Sequence, residues 1–385
     1  MKITIYALHL GVGGVEKYVA TLANMLANIG NVSIVVTYKL ANEPAFYIDP
    51  RVKIEYLISD KTPNKDKIKE AIVNKSAISL IREGLIAIKL LYRKRHLNIK
   101  SIEKCDSDVI ISTRIFHNKL ISKHAAKNII KITGEHNYHN DDEKYISKVI
   151  NSCKNFDYFI PISKYLKDFY EPYMTARGVK TKYIRFCVDD FANNQRAALE
   201  GDNLISVGRL SKEKGYSDLI SVFEIIHRKN RKAVLNIIGD GDERESLENL
   251  AKEKKLTDNV VFHGFRNKEY VYSELNKSSV FLMTSYTESF GLVLLEAMNS
   301  GVPCVAFSSA NGAKEIISDQ ENGILIDQRD IGMMADTVCE LLEDRERLKQ
   351  LSEGAIKTAE LYSYEETEKE WQKFIMSLKE RDKEL

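Results

Sequence analysis

Cysteine is scarce in this chain, and what there is lies scattered. Cys105, Cys153, Cys187, Cys304 and Cys339 are odd in number and form no C-x-x-C pair. That pattern excludes a disulfide framework and a cysteine zinc site, and it favours a reducing compartment. Proline is nearly as rare: six prolines and 19 glycines in 385 residues exclude collagen-like and linker-rich chains. No apolar run approaches the ~18 residues that a membrane-spanning helix needs. The opening Met1-Lys2-Ile3-Thr4-Ile5-Tyr6-Ala7 has no charged n-region, long apolar stretch or small-residue cleavage site, so no signal peptide is expected. There is, by contrast, ample core material. With 44% hydrophobic and 29% charged residues, the chain suits two domains of ordinary size in a soluble, cytoplasmic protein.

The net charge of +2 hides an asymmetry. Residues 1–190 hold 31 Lys and Arg against 20 Asp and Glu, and residues 191–385 hold 26 against 35. Segment 61–104 alone has a net charge of +8, with Lys61, Lys65, Lys67, Lys69, Arg82, Lys89, Arg93, Lys94 and Arg95 among its cations. Ile72, Ile78, Leu80, Ile81, Leu85, Ile86, Ile88, Leu90 and Leu91 interleave with them. Such a segment can lie on anionic lipid, at the inner membrane face. A solvated helical hairpin accounts for the same charges. Nucleic acid is not expected, since no helix-turn-helix, RNP-type or finger pattern accompanies the patch.

Short β-branched runs alternate with longer helical patterns, the signature of α/β folding around parallel sheets. Strands are expected over 3–8, 33–37, 108–112, 128–133 and 156–160. After a polar, non-periodic linker over 189–196, a second series follows over 204–207, 233–238, 260–263, 280–283 and 303–307. The expected architecture is two Rossmann-like doubly wound domains facing across a cleft, 1–190 and 191–385. Ligands of such sheets bind beyond the carboxyl ends of the strands. The terminal helix opens with the capping box Ser363-x-x-Glu366, and Tyr364, Trp371, Phe374 and Leu378 share one of its faces. That face can pack across the domain junction, back on the first domain.

The densest chemistry lies between Thr284 and Met298, where a strand end passes through a small-residue loop into a helix. Glu288 is expected in the loop and Glu296 in the second helical turn. The helix N-terminus between them, at Phe290, Gly291 and Leu292, presents free N–H groups that attract phosphate. Carboxylates beside a phosphate site serve hydroxyls of a ribose or sugar. Without a ligand, Glu288 is a helix N-terminal charge and Glu296 a surface residue. Gly208-Arg209-Leu210 and Lys214-Gly215 occupy another strand-to-helix loop, where a planar fork and a point charge suit a diphosphate.

In the first half, Gly11-Val12-Gly13-Gly14-Val15-Glu16 resembles a dinucleotide fingerprint but fails it. Glu16 stands where the third glycine belongs, and the second strand ends in Tyr38-Lys39 without an acid for ribose. A tight turn without a ligand fits as well as a phosphate against Gly14. His136 follows a strand, and Arg114 and His117 hold an equivalent position after another. Glu135 and His139 match no zinc spacing, and Gly239-Asp240-Gly241 is a strand-end turn beside the ligand rather than an EF-hand.

Together these residues resemble the retaining glycosyltransferases of GT-B architecture, family 4 of the sugar-nucleotide transferases (glycosyl transferases group 1). The resemblance is carried by Gly13-Gly14-Val15-Glu16, Gly208-Arg209-Leu210 with Lys214-Gly215, Gly239-Asp240-Gly241, and Glu288 to Glu296 as the family's E-x7-E. Gly301-Val302-Pro303-Cys304-Val305 and Asn322-Gly323-Ile324-Leu325 fit as well. Asn311-Gly312 stands where the family often has Gly-Gly. The likeness spans nearly the whole chain, is most specific over 204–330 and is loosest over 40–105.

The resemblance implies that Arg209 and Lys214 hold a donor diphosphate, with Gly291, Leu292 and Gly14 beside it, and that Glu296 holds the ribose. Glu288, Phe290 and His136 would surround the donor sugar, with Glu288 and His136 at the reacting centre. The first domain would bind the acceptor and the second the donor. The activity implied is hexosyl or N-acetylhexosaminyl transfer, metal-independent and without a cofactor, from a UDP-sugar to a lipid-linked glycan, glycolipid or polysaccharide precursor. A sugar-nucleotide 2-epimerase and a non-catalytic nucleotide-sugar sensor share the architecture and stay open on sequence alone.

Overall fold

The computed structural model describes residues 1–60, 62–187 and 196–381. They form two compact units, Met1–Ile184 with Glu368–Leu385, and Arg185–Thr367. The expected linker lies outside the described residues apart from Arg196, as does Lys61.

The first unit runs β1 (Lys2–Ala7), α1 (Gly14–Leu26), β2 (Asn31–Tyr38), β3 (Lys53–Ile58), α2 (Lys65–Val73), α3 (Ala77–Glu103) and β4 (Val109–Ser112). It continues with α4 (Ile115–His124), β5 (Ile130–Thr133), α5 (Glu143–Ser152), β6 (Tyr158–Phe159), α6 (Lys164–Thr175) and β7 (Lys180–Thr181). Its seven strands lie in the order β3-β2-β1-β4-β5-β6-β7 and pair in parallel. Ile5 at the centre sits opposite Ile34 on one side and Ile111 on the other. Parallel strands covered on both faces are apolar along their length, and β1 and β4 follow that rule. The edge strand β3 does not: Lys53 and Glu55 interrupt it, and sequence periodicity misses it.

The second unit runs β8 (Asn203–Val207), α7 (Tyr216–Lys229), β9 (Val234–Ile238), α8 (Arg244–Glu253), β10 (Val260–Gly264), α9 (Lys268–Leu275) and β11 (Val280–Met283). Then come α10 (Leu292–Asn299), β12 (Cys304–Phe307), α11 (Asn311–Ile316), β13 (Gly323–Ile326), α12 (Ile331–Glu343), α13 (Arg345–Leu361) and α14 (Tyr364–Arg381). The six strands are ordered β10-β9-β8-β11-β12-β13, again in parallel. Its core gathers Leu204, Leu235, Leu282 and Val305 of the sheet with Phe223 of α7 and Met334 of α12. In both sheets strand order reverses beside the first strand, between β1 and β4 and between β8 and β11. Loops leaving those strand ends diverge and open a crevice, the place where doubly wound sheets bind ligands.

The helix α14 starts in the second unit and ends in the first. Its cap forms as expected, with Glu366 N–H donating to Ser363 Oγ at 3.3 Å. Trp371, Phe374, Ile375 and Leu378 are buried. The Phe374 ring meets Tyr158 edge-on at 5.0 Å, and Lys182 Nζ lies 5.0 Å above it. A single boundary at 190 assigns this stretch to the second domain, whereas residues from Glu368 onward count with the first unit. Among the described residues no helix is long and apolar enough to cross a membrane.

His117 of α4 belongs to the core. It is fully buried, its Nε2 lies 2.9 Å from Thr37 Oγ1, and its ring packs against Phe116 and Tyr6. Thr37 Oγ1 in turn donates to Asn98 Oδ1 at 3.2 Å, which ties α3 to β2. Burial, with Lys94 and Arg114 nearby, pushes the His117 imidazole down to about 3. The unfolded chain therefore takes up a proton below its ordinary value of 6.5 that the folded chain refuses. Stability from this group is complete above that value and declines as pH falls toward the folded value, by roughly 1.4 kcal/mol per pH unit. Urea titrations of the first unit's unfolding between pH 6.5 and 5 should show a slope that is shallower by about one proton in His117→Gln. An unchanged slope would mean that the histidine titrates freely in the folded state.

Candidate active site at the strand ends

In the second unit, the loops after β8 and β11 are stitched together before any side-chain charge acts. Tyr286 N–H donates to Glu213 O at 2.8 Å, and Thr284 Oγ1 to Gly215 O at 2.9 Å. Gly215 has φ +65°, and a Cβ there would come within 2.2 Å of Thr284 O, so the close approach needs glycine. Across this seam Lys214 Nζ donates to Glu288 Oε2, both side chains being largely buried. Two residues separated by 74 positions in sequence thus share one point at the β8/β11 reversal.

Glycine also fixes the remaining loops. Gly239 has φ +142° and leaves only 1.8 Å between an added Cβ and Gly208 O, while Leu210 N–H donates to Asp240 O at 3.0 Å. The expected turn at Gly239-Asp240-Gly241 is therefore a brace for the loop that carries Arg209. Arg209 is exposed. Its charge and that of Lys214 lower the Glu213 carboxyl, which is held down first by the Ser211 hydroxyl at 2.7 Å. Glu213 is a site carboxylate that the cation-centred reading of this loop missed.

Glu288 lies in the loop and Glu296 in the second turn of α10, half-buried. Gly291 opens that helix with φ +96°; Leu294 N–H already donates to Gly291 O at 2.9 Å, while the N–H groups of Leu292 and Val293 precede the first intrahelical bond. Phe290 is only 3% exposed, with its ring 5.8 Å from that of Tyr362, so only its backbone faces outward chemistry. Gly312 N–H donates to Glu288 O at 3.0 Å, and a Cβ on Gly312 would come within 2.4 Å of Phe290 O. The second glycine of the family's pair is the one this packing requires.

One organising residue escaped sequence reasoning. Arg329 follows β13 and reaches back over the sheet end. It donates to Ser285 O at 3.0 Å, Ser309 Oγ at 2.9 Å and Thr284 O at 2.8 Å, and it pairs with Asp218 of α7. Its guanidinium also stacks 3.8 Å from the Tyr286 ring, and Tyr286 Oη donates to Asp218 Oδ2 at 3.1 Å. Gln328 and Arg329 adopt left-handed backbone at φ 52° and 53°, a cost these contacts offset. No periodicity or motif marks the residue. The one signal is a cation just past a strand end.

In the first unit, the β1/β4 reversal brings the glycine loop to Arg114. Glu16 is buried, accepts from Arg114 Nη2 at 2.5 Å and lies 3.7 Å from His9 Nε2. Its carboxylate folds back over Gly13, where a Cβ would be 2.2 Å from Oε2, whereas Gly14 faces open space. Glu16, which breaks the dinucleotide fingerprint, is thus an anchor for Arg114. The Arg114 Nε is buried without a partner among the described residues.

His136 lies in the loop after β5. Glu135 organises that loop, its Oε1 accepting from the backbone N–H groups of His136 and Asn137, each at 2.8 Å. Burial raises the Glu135 carboxyl. The His136 ring meets Tyr18 edge-on at 4.4 Å, and both its nitrogens are buried without partners among the described residues. Burial, then the Arg114 charge, pushes its imidazole down to about 3, so it is neutral at physiological pH. His139 is stacked on Phe169 at 4.0 Å and serves the packing. Among the described residues no group of three or more His, Cys, Asp or Glu could hold a metal ion.

Arg329→Ala would leave the Asp218 carboxylate and two strand-end carbonyls without their shared donor. Urea denaturation of the second unit should record a loss of about 2–3 kcal/mol, and Arg329→Lys should recover little of it, because an ammonium cannot span the fork. Wild-type stability in the alanine variant would show the clamp to be idle.

Comparison with known proteins agrees with this geometry. Residues 189–358 match the family model for glycosyl transferases group 1. An uncharacterized glycosyltransferase of Haemophilus influenzae is 27% identical over 96% of this chain and 98% of its own length. The N-acetylgalactosamine-N,N'-diacetylbacillosaminyl-diphospho-undecaprenol 4-alpha-N-acetylgalactosaminyltransferase of Campylobacter jejuni is 26% identical over 93% of this chain and 94% of its own. Among solved structures, a variant of S. aureus TarM in complex with fondaparinux, alpha-GlcNAc-glycerol and UDP superposes with a TM-score of 0.73. It covers 96% of this chain and 99% of that one at 17% identity. With two parallel doubly wound units, site loops meeting at a strand-order reversal and relatives of matching length, the chain has the GT-B fold and is similar to the group 1 glycosyltransferases, whose family model its second unit matches.

Proposed function

We propose that this chain moves a sugar from a UDP-sugar to a hydroxyl of a lipid-linked glycan, glycolipid or polysaccharide precursor, with retention at the anomeric carbon and without a metal ion. The observation that carries the reading is the contact between Lys214 and Glu288 at the β8/β11 reversal. It sets an ammonium and a carboxylate at one strand end, next to the loop that opens α10 without a side-chain cap. The ammonium suits a diphosphate and the carboxylate suits sugar hydroxyls. Arg209, exposed on the same loop as Lys214, adds the second cation.

In this reading the second unit holds the donor. Arg209, Lys214 and the amides of Gly291 and Leu292 stabilise the departing diphosphate, the work a divalent ion does in other transferases. Glu288 and the Phe290 amide serve the donor sugar, and Glu296 the ribose. The first unit takes the acceptor, and the resemblance assigns Gly14 to the phosphate and His136 to the reacting centre. The acceptor oxygen attacks the anomeric carbon from the face that the phosphate leaves. The bond from that carbon to the phosphate oxygen breaks, and the acceptor proton passes to this oxygen. No enzymic nucleophile enters the sequence. A neutral His136, whose two buried nitrogens have no partner among the described residues, can accept or donate one hydrogen bond to the sugar.

The choice of UDP follows the nucleotide bound in the TarM complex. The lipid-linked acceptor follows the diphospho-undecaprenol named for the Campylobacter relative. Calorimetry with UDP should show Arg209→Ala and Lys214→Ala each weakening binding by about 1.5–3 kcal/mol, roughly 10- to 150-fold. Unchanged affinity in both would remove the diphosphate assignment. EDTA should leave turnover largely intact, and a strict divalent-ion requirement would overturn the mechanism. Incubation with a UDP-sugar and no acceptor separates the epimerase alternative, since only an epimerase converts the donor to its isomer.

A further inference from the structure

The helix α3, 27 residues long, buries one side and exposes the other. Inward, Leu90 packs with Tyr38 and Ile58, Asn98 accepts from Thr37, and Lys94 Nζ lies 3.8 Å from the Phe116 ring centroid. Outward, Ile78, Ile81, Leu85, Ile88 and Tyr92 recur at steps of three and four residues and so form one stripe. They are 84%, 66%, 64%, 65% and 72% exposed. A contiguous apolar stripe of this size marks an interaction surface.

The charges around the stripe narrow the partner. Arg82 and Lys89 flank it, each four residues beyond a stripe position, and Arg95 follows one turn past Tyr92; all three are exposed. The neighbouring α2 adds exposed Lys67 and Lys69, offset in part by exposed Asp66 and Glu70. Only Glu83 precedes Glu103 as an acid on α3; it is 5% exposed, accepts from Asn64 Nδ2 at 2.8 Å and pairs with Arg82 Nη2 at 3.1 Å, so that Lys89 and Arg95 carry most of the helix's outward charge. The outward face is therefore apolar and cationic at once.

We infer that α2 and α3 form a docking face for an anionic lipid bilayer, with the stripe at the boundary between headgroups and acyl chains and the flanking cations on headgroup phosphates. A second copy of this chain is the rival occupant, since three- and four-residue spacing also suits a helix pair. Pairing would set the +8 of segment 61–104 against itself, whereas anionic lipid supplies both the apolar medium and the counter-charge. The inference does not depend on the sugar-transfer reading.

Flotation of the full chain with vesicles of phosphatidylcholine, alone or with added phosphatidylglycerol, tests it. The protein should partition onto the anionic vesicles at least about tenfold more than onto neutral ones, and rising salt should weaken this. Arg82→Gln/Lys89→Gln should lower partitioning about thirtyfold. Ile81→Glu/Ile88→Glu should abolish it while leaving turnover on a soluble acceptor unchanged. Equal partitioning onto both vesicle types, or none onto either, overturns the inference. So does a solution dimer that the glutamate pair dissociates without any vesicle binding. A chain that floats with anionic vesicles yet transfers no sugar supports the docking face and counts only against the proposed reaction.

Discussion

The contact of Lys214 with Glu288 is possible only because β8 and β11 lie side by side at the point where strand order reverses. Everything near the second unit's sheet end is arranged to keep those two loops in register. A backbone hydrogen bond joins them at Glu213 and Tyr286, Gly215 lets them touch, and Arg329 clamps the far side. A charge pair held so closely is preorganised: the groups need not gather when a ligand arrives, so less binding energy is lost to ordering. The cost is that Glu288 already engages the Lys214 ammonium, and an anionic ligand must share it.

The first unit solves the same topological problem with opposite placement of charge. At its reversal the glycine loop after β1 carries the acid, Glu16, and the loop after β4 carries the cation, Arg114. Glu16 therefore spends its charge within the protein. Arg114, in turn, sits near enough to His136 to help keep the imidazole neutral. A histidine without a charge can make hydrogen bonds to a sugar without drawing in a counter-ion.

Much of this was legible in the sequence. The central strands are uninterrupted apolar runs because parallel strands are covered on both faces, and the positions of Glu288 and Glu296 follow from a helix that must start between them. The losses have physical causes. The edge strand β3 is half solvated and carries Lys53 and Glu55, so its pattern resembles a loop. The loop cations were read as an anion-binding pair, whereas Lys214 meets Glu288, a contact that depends on long-range loop packing, and Glu213 lies within the field of both cations. Arg329 is reached only through a left-handed turn far downstream, and His117 looked like a strand-end site residue although its helix carries it into the core.

The route of α14 has a further consequence, for synthesis. The first unit takes Trp371, Phe374 and Leu378 into its packing, yet these are translated after every strand of the second unit. Until they emerge, the sheet of the N-terminal half lacks part of its cover, while every residue of the second unit's sheet has already been made. Between the two units the order of translation is thus the reverse of the order of completion: the one begun earlier is completed later, when α14 returns to it.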